Sequence, residues 1–380
     1  FLKFYSSAYP VFERRFSDHL STTYIDIQMS RPQEPHRPFL PFGNPFKFIL
    51  PKGSYLSPKL LALLNAFEES LTERVKSLKP GSKEDILTLS WMTQAMSTLC
   101  AIHTDVKTLI TELELPVCDW DEKWIDVYLD NSVKLLDICI AFSSDISRLN
   151  QGHLYLQCGL HNLDGTSNQF MKARSSFDGW KQHINSKNPR LENCFAILDS
   201  LTESLNLPKI KNSAEGKVLM QAMYGVRVVT VFILSMFAVT FSGSTKELKD
   251  LQIHKTCLWT EAFVDVRDFI SQEIRRIYSS GRITALKELE VVDTSVKKLY
   301  PLIQNGVDPN EAEQLHLLTS NLTEKAEKLS GGLDVLAKEA DRFFHILLTG
   351  RDSLLCNLRI DSTVSNPAEV NNNVEREDVR

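Results

Sequence analysis

The stretch from Leu315 to Leu347, LHLLTSNLTEKAEKLSGGLDVLAKEADRFFHIL, decides the fold class. Its apolar residues Leu315, Leu318, Leu322, Ala326, Leu329, Leu333, Leu336, Ala340, Phe343 and Leu347 follow one another at intervals of three or four. A helix of about 3.6 residues per turn gathers such positions on one face, whereas a half-buried strand would alternate apolar and polar. The acids and bases between them fall on the opposite face. The segment therefore reads as a long amphipathic helix with a coiled-coil-like seam. Gly331-Gly332, inside it, is where a kink is expected.

The same spacing extends back to Ser57. Ser57-Pro58 has the form of an N-cap followed by proline in the first helical position, and Pro80-Gly81 closes that helix. Ser82, with Asp85 three residues later, resembles a capping box and predicts a second helix to about Leu115, before Pro116. Asp119 and Glu122 predict a third to about Leu149, with Gln151-Gly152 as its break or bend. Further helices are expected over 167–184, 190–205 and 213–242, along Trp259, Phe263, Val266, Ile270, Ile274 and Ile277, and over 282–300, where Pro301 ends the last. No sustained period-2 pattern interrupts them. The expectation is an all-α, elongated multi-helix bundle of long antiparallel helices with coiled-coil-like packing, covering residues 57–360.

Three segments flank that bundle. Residues 1–28 precede the first methionine, Met29, and lack the apolar run of a secretory signal. They read as an upstream extension without fold. Residues 29–56 form a proline-rich arm, in which Pro32, Pro35, Pro38 and Pro41 recur at every third residue, the repeat of a polyproline II helix. With Phe39 and Phe42 they are candidate partner-docking residues, the alternative being that the phenylalanines pack on the bundle itself. Residues 361–380 hold few large apolar side chains and read as a disordered tail.

Composition narrows function by exclusion. The 43 Lys and Arg against 48 Asp and Glu leave a net charge of −5, which argues against a general nucleic-acid-binding surface. The 7 cysteines form no CxxC pair and mostly sit in apolar helical patterns, as buried thiols in a reducing compartment do. Together with the missing secretory signal, they place the protein inside the cell, in the cytoplasm.

The most apolar run is VVTVFILSMFAVTF, Val228 to Phe241. At a rise of about 1.5 Å per residue it spans roughly 21 Å, short of an approximately 30 Å hydrocarbon core. Val228, Phe232, Phe237 and Phe241 thus mark either a helix buried all round in the bundle, the preferred reading, or a membrane span.

No nucleotide-binding glycine loop, nucleophile elbow, zincin or EF-hand pattern occurs. His153 and Cys158 point about 140° apart on a helix, so with His161 they make a poor ligand group. Asp119, Asp121, Glu122, Asp126 and Asp130 suit a helix entry and a solvated face better than a carboxylate pair. The sequence thus predicts no catalytic residue, cofactor, metal or small-molecule ligand. Arg275-Arg276 before Ser279 makes that serine a candidate phosphorylation site.

Several long stretches carry a resemblance to one family. They are RPQEPHRPFLPFGNPFK, SPKLLALLNAFE, LELPVCDWDEKWIDVYLDNSVKLLDICIAFSSDISRLNQG, SLNLPKIKNSAEGKVLMQAMYGV and LTGRDSLLCNLR, spread between residues 31 and 359. In these the chain resembles the plant BYPASS family of regulators. The resemblance implies a role in normal root and shoot growth, by restraining a root-derived mobile signal that arrests the shoot and depends on carotenoid-derived chemistry. It supplies no catalytic motif. The function expected is that of a non-catalytic regulator acting through other proteins. The alternatives are a regulator anchored in a membrane by residues 228–241 and an unrecognised enzyme acting on the signal precursor.

Overall fold

A computed structural model describes residues 56–114, 122–163, 167–186, 188–205, 213–243, 251, 253, 257–279, 286–305 and 312–364. Residues 1–28, residues 29–55 of the proline-rich arm and residues 365–380 lie outside the described residues. Among the described residues there are nine α-helices and no strand: α1 (Pro58–Ser77), α2 (Leu89–Glu112), α3 (Glu122–His161), α4 (Ser167–Asn185), α5 (Pro189–Glu203), α6 (Ala214–Ser242), α7 (Thr260–Ser279), α8 (Lys287–Asn305) and α9 (Ala312–Val364). The fold is all-α, as the spacing predicts.

α9 carries the seam, and the seam is core. Leu322, Leu333, Leu336 and Phe343 are fully buried, and Leu318 is the one member of the stripe that stays half-buried. The helix packs against α2, α3 and α8. Its partners on α3 fix their relative direction. Arg351 donates to the Leu129 carbonyl near the start of α3, while Ser330 and Asp334 meet Asn150 near its far end, so α3 and α9 are antiparallel. α2 runs the other way. Leu89 lies against Gly332 and His103 against Phe343, so α2 is parallel to α9.

α3 continues through Gly152 for 40 residues without a break. The glycine serves packing instead. A Cβ at Gly152 would stand 2.8 Å from the Trp180 ring and one at Gly159 2.4 Å from the Phe177 ring, both on antiparallel α4. Phe177 and Trp180 are fully buried and have nowhere to go. Gly159→Ala should therefore lower thermal stability by about 1–3 kcal/mol through overpacking, despite its better helix propensity. Gly331, with nothing within 4 Å of its own Cβ position, is the control. Gly331→Ala should raise stability by about 0.5–1 kcal/mol. Thermal melts of the two variants should move in opposite directions.

Several boundaries differ from the sequence reading. Ser82 caps only a short 3-10 turn, Lys83–Asp85, accepting from the Glu84 amide. Ile86 and Leu87 are both fully buried in the turn that follows, where Leu87 adopts a φ of 59°. Burying two adjacent apolar side chains there ends the helical path, and α2 starts afresh from the Thr88 cap on the Trp91 amide. Pro301 lies inside α8 rather than after it. The burial of Leu302 and Ile303 holds the last turn in place around the missing amide donor. At the C-terminus α9 reaches Val364, four residues into the stretch read as a tail.

α6 lies among α1, α2, α3 and α5. Every residue from Tyr224 to Leu234 is buried, and Gly243 stops the helix at a φ of 68° by donating to the Val239 carbonyl. Two buried carboxylates inside the bundle are matched. The fully buried Asp145 accepts from Arg148 at 2.7 Å and from Asn188, the cap of α5, at 3.3 Å. Glu68 accepts from Gln221 and from the Leu258 amide.

Candidate functional site

A cavity of about 520 Å³ opens where α2, α3, α6 and α9 diverge, with Leu201 of α5 at its edge. Ligand pockets commonly measure about 300–1,000 Å³ and are mostly apolar with a few placed polar groups. The walls here fit that description. α6 supplies Val226 and Val231, α3 supplies Leu135, and α9 supplies Leu347 and Leu354.

The polar groups are set by helical spacing. On α6, Met223, Arg227 and Thr230 lie four and three residues apart, so one face of an otherwise apolar helix is aimed at the cavity. Arg227 is 9 % exposed. Its Nη2 donates to the Ser204 carbonyl and, at 2.7 Å, to the Ser204 hydroxyl, at the C-terminal cap of α5. A cation is favourable at that end of a helix, where carbonyls lack partners. Its Nη1 is buried with no hydrogen-bond partner. Desolvation brings the Arg227 pKa down to about 10, which still leaves the guanidinium charged at neutral pH.

His103 of α2 faces Thr230 across the cavity, ring Nε2 to hydroxyl at 3.0 Å, and meets Phe343 edge-on at 5.1 Å. Burial pushes its pKa down to about 4, so the ring is neutral. Ser132 accepts from Arg351, and Asn131 is buried beside it. At the mouth stand Lys107, Arg342 and His345, all exposed. Among the described residues no aspartate or glutamate lines the cavity. Of the mouth bases, Arg342 is paired with Glu339 at 3.4 Å. A second cavity of about 530 Å³, lined by residues of α3, α4, α5, α6 and α8, has acids in its wall: Glu192 and Asp293, the latter holding Lys297.

The residues singled out from the sequence fall elsewhere. Val228, Phe232 and Phe237 are buried and Phe241 half-buried. Phe237 lies against Phe142 at 5.8 Å and Phe232 against Phe263 at 5.3 Å. Ser279 is exposed at the end of α7, its hydroxyl donating to the Arg276 carbonyl. Pro32, Pro35, Pro38, Pro41, Phe39 and Phe42 lie outside the described residues. Among the described residues no three His, Cys, Asp or Glu side chains gather as metal ligands. Cys100, Cys139 and Cys194 are buried thiols, and burial raises the pKa of each, to about 11 for Cys100. Cys158, against expectation, is exposed on α3. The sequence reading treated Arg227 as the flank of an apolar run. The signal available was a lone arginine with more apolar residues on both sides, within one helix.

The chain matches the family model described as Protein BPS1 over residues 94–357, a range that contains all the residues lining the 520 Å³ cavity. It is 57 % identical over 333 residues to "Protein BPS1, chloroplastic" of Arabidopsis thaliana, covering 87 % of this chain and 93 % of that protein. It is 36 % identical to "UPF0496 protein 4" of Oryza sativa subsp. indica, covering 90 % of this chain and 100 % of that protein. "Protein ROH1D" of Arabidopsis thaliana is similar at 19 % identity over 79 % of this chain and 90 % of its own length. No solved structure matches. The chloroplastic name of the 57 % relative overturns the cytoplasmic placement. The placement rested on reduced thiols and on the lack of an apolar secretory run, and neither separates cytosol from plastid. Plastid transit peptides have no such run.

Proposed function

The chain belongs to the BPS1 family of plant proteins, and from that premise we propose that it is a non-catalytic developmental regulator that works by binding other proteins. The observation that carries this reading is the 57 % identity to Protein BPS1 along 93 % of that protein. The action proposed is restraint of a root-derived mobile signal that arrests the shoot. The relative's name further supports a place of action in the chloroplast. The partner surface proposed is the arm carrying Pro32, Pro35, Pro38, Pro41, Phe39 and Phe42. An extended proline helix loses little conformational freedom on docking, which suits a partner groove.

Grafting tests the role. Arabidopsis roots lacking Protein BPS1 and expressing this chain should support normal growth of a grafted shoot. Shoot arrest despite accumulation of the protein would overturn the reading. The same plants expressing a chain with alanine at the six arm positions should show arrest, while the purified variant melts as the parent does. Full rescue by that variant would remove the arm from the mechanism. A fluorescent fusion that fails to coincide with chlorophyll would remove the plastid.

A further inference from the structure

A bundle of this kind has every reason to close over an apolar helix, yet α2, α3, α6 and α9 leave a cavity of about 520 Å³ beside the one arginine of α6. Three observations bear on what belongs there. The first is charge. The protein carries a net −5, but among the described residues the ionisable groups lining this cavity are three bases, two histidines and a tyrosine, with no acid. The second is an uncompensated buried charge. Arg227 spends Nη2 on Ser204, and its buried Nη1 has no partner. A buried charged donor left unmade costs free energy, so a group that must sit at this helix terminus anyway still lacks an acceptor. The third is the wall. Val226, Val231, Leu135 and Leu347 surround the polar spot with apolar surface.

We propose that this cavity binds a small amphipathic carboxylic acid, its carboxylate beside the Arg227 guanidinium and its apolar body along α3, α6 and α9. One buried guanidinium suits a monoanion. A phosphate monoester would bring a second charge into an apolar wall where Arg227 is the one buried base. His103 and Thr230, already bonded to each other and neutral, offer a polar neighbour that does not compete for the anion. The mouth bases then favour entry of an anion over a cation. The sequence pointed to no small-molecule ligand. The cavity is built from four helices distant in the chain, and no linear pattern could display it.

Titration calorimetry on the full chain tests this with dodecanoate and dodecanol, which share an apolar body and differ in charge. Dodecanoate should bind one to one. Arg227→Gln, which removes the charge, should weaken dodecanoate by roughly tenfold or more and leave dodecanol unchanged. Ile110→Trp, which narrows the cavity and spares the arginine, should weaken binding of both. If Arg227→Gln fails to fold, Ile110→Trp and the preference of the parent for dodecanoate over dodecanol decide. Equal affinity for the two probes, binding undiminished in Ile110→Trp, or no binding of dodecanoate would each overturn the proposal. Probe binding and shoot rescue are separate readouts, so failure of one leaves the other standing.

Discussion

Leu336→Asp should leave the protein unable to hold its native fold under ordinary conditions, with a loss exceeding about 4 kcal/mol. Leu336 is 0 % exposed, and its seam neighbours Leu333 and Ala340 are as deeply buried. Truncating a core leucine alone costs about 2–5 kcal/mol. The carboxylate adds the penalty of a buried charge with no partner, which it escapes only by taking up a proton. Whole domains are stable by about 5–15 kcal/mol, so one such change consumes much of the margin. Val335 supplies the comparison, being the preceding residue on the same helix and 49 % exposed. Val335→Asp should stay within about 0.5 kcal/mol of the parent. Urea unfolding followed by circular dichroism measures both. Similar midpoints for the two variants would mean that the α9 stripe is not core.

Phe237→Ala should destabilise the fold by about 3–5 kcal/mol. The side chain is 1 % exposed and lies between the rings of Phe142 at 5.8 Å and Phe241 at 6.4 Å. Thermal melts of the purified protein give the number. The result also separates the two readings of the apolar run. α6 is long and apolar enough to cross a membrane by length and composition, yet 83 % of its most apolar window is buried against protein. Were lipid its true neighbour, removing one phenyl ring would change the stability of the remaining bundle very little. An unchanged melt, together with retention in carbonate-washed membranes, would overturn the packed-helix reading.

The all-α class was legible because it depends on periodicity, and periodicity is local. The α9 stripe, the Ser57-Pro58 start and the Pro80-Gly81 stop are each written in a few adjacent residues. What went astray was tertiary. Ser82 has the residues of a helix start, but the burial of Ile86 and Leu87 pulls the chain off the helical path. Pro301 has the character of a stop, but Leu302 and Ile303 bind the turn beyond it to the core. Gly152 suggested a bend and instead makes room for Trp180, a residue on another helix. The cavity was wholly illegible. Its charge asymmetry arises from which of 43 bases and 48 acids four separate helices bring together.

The direction of α9 against α2 and α3 has a consequence for how the protein is made. The last helix covers apolar faces on two of the earliest, and about 200 residues separate the end of α2 at Glu112 from the start of α9 at Ala312. Synthesis at about 5–20 residues per second leaves those faces waiting on the order of 10–40 s. An import channel, which also delivers the N-terminus first, would impose the same order. Contacts so distant in sequence form late and slowly, so the nascent chain passes through a stage with sticky, unmated helices. Chains cut short before residue 312 should therefore depend on chaperones and end as aggregate or as substrates for proteolysis, rather than as a smaller working domain.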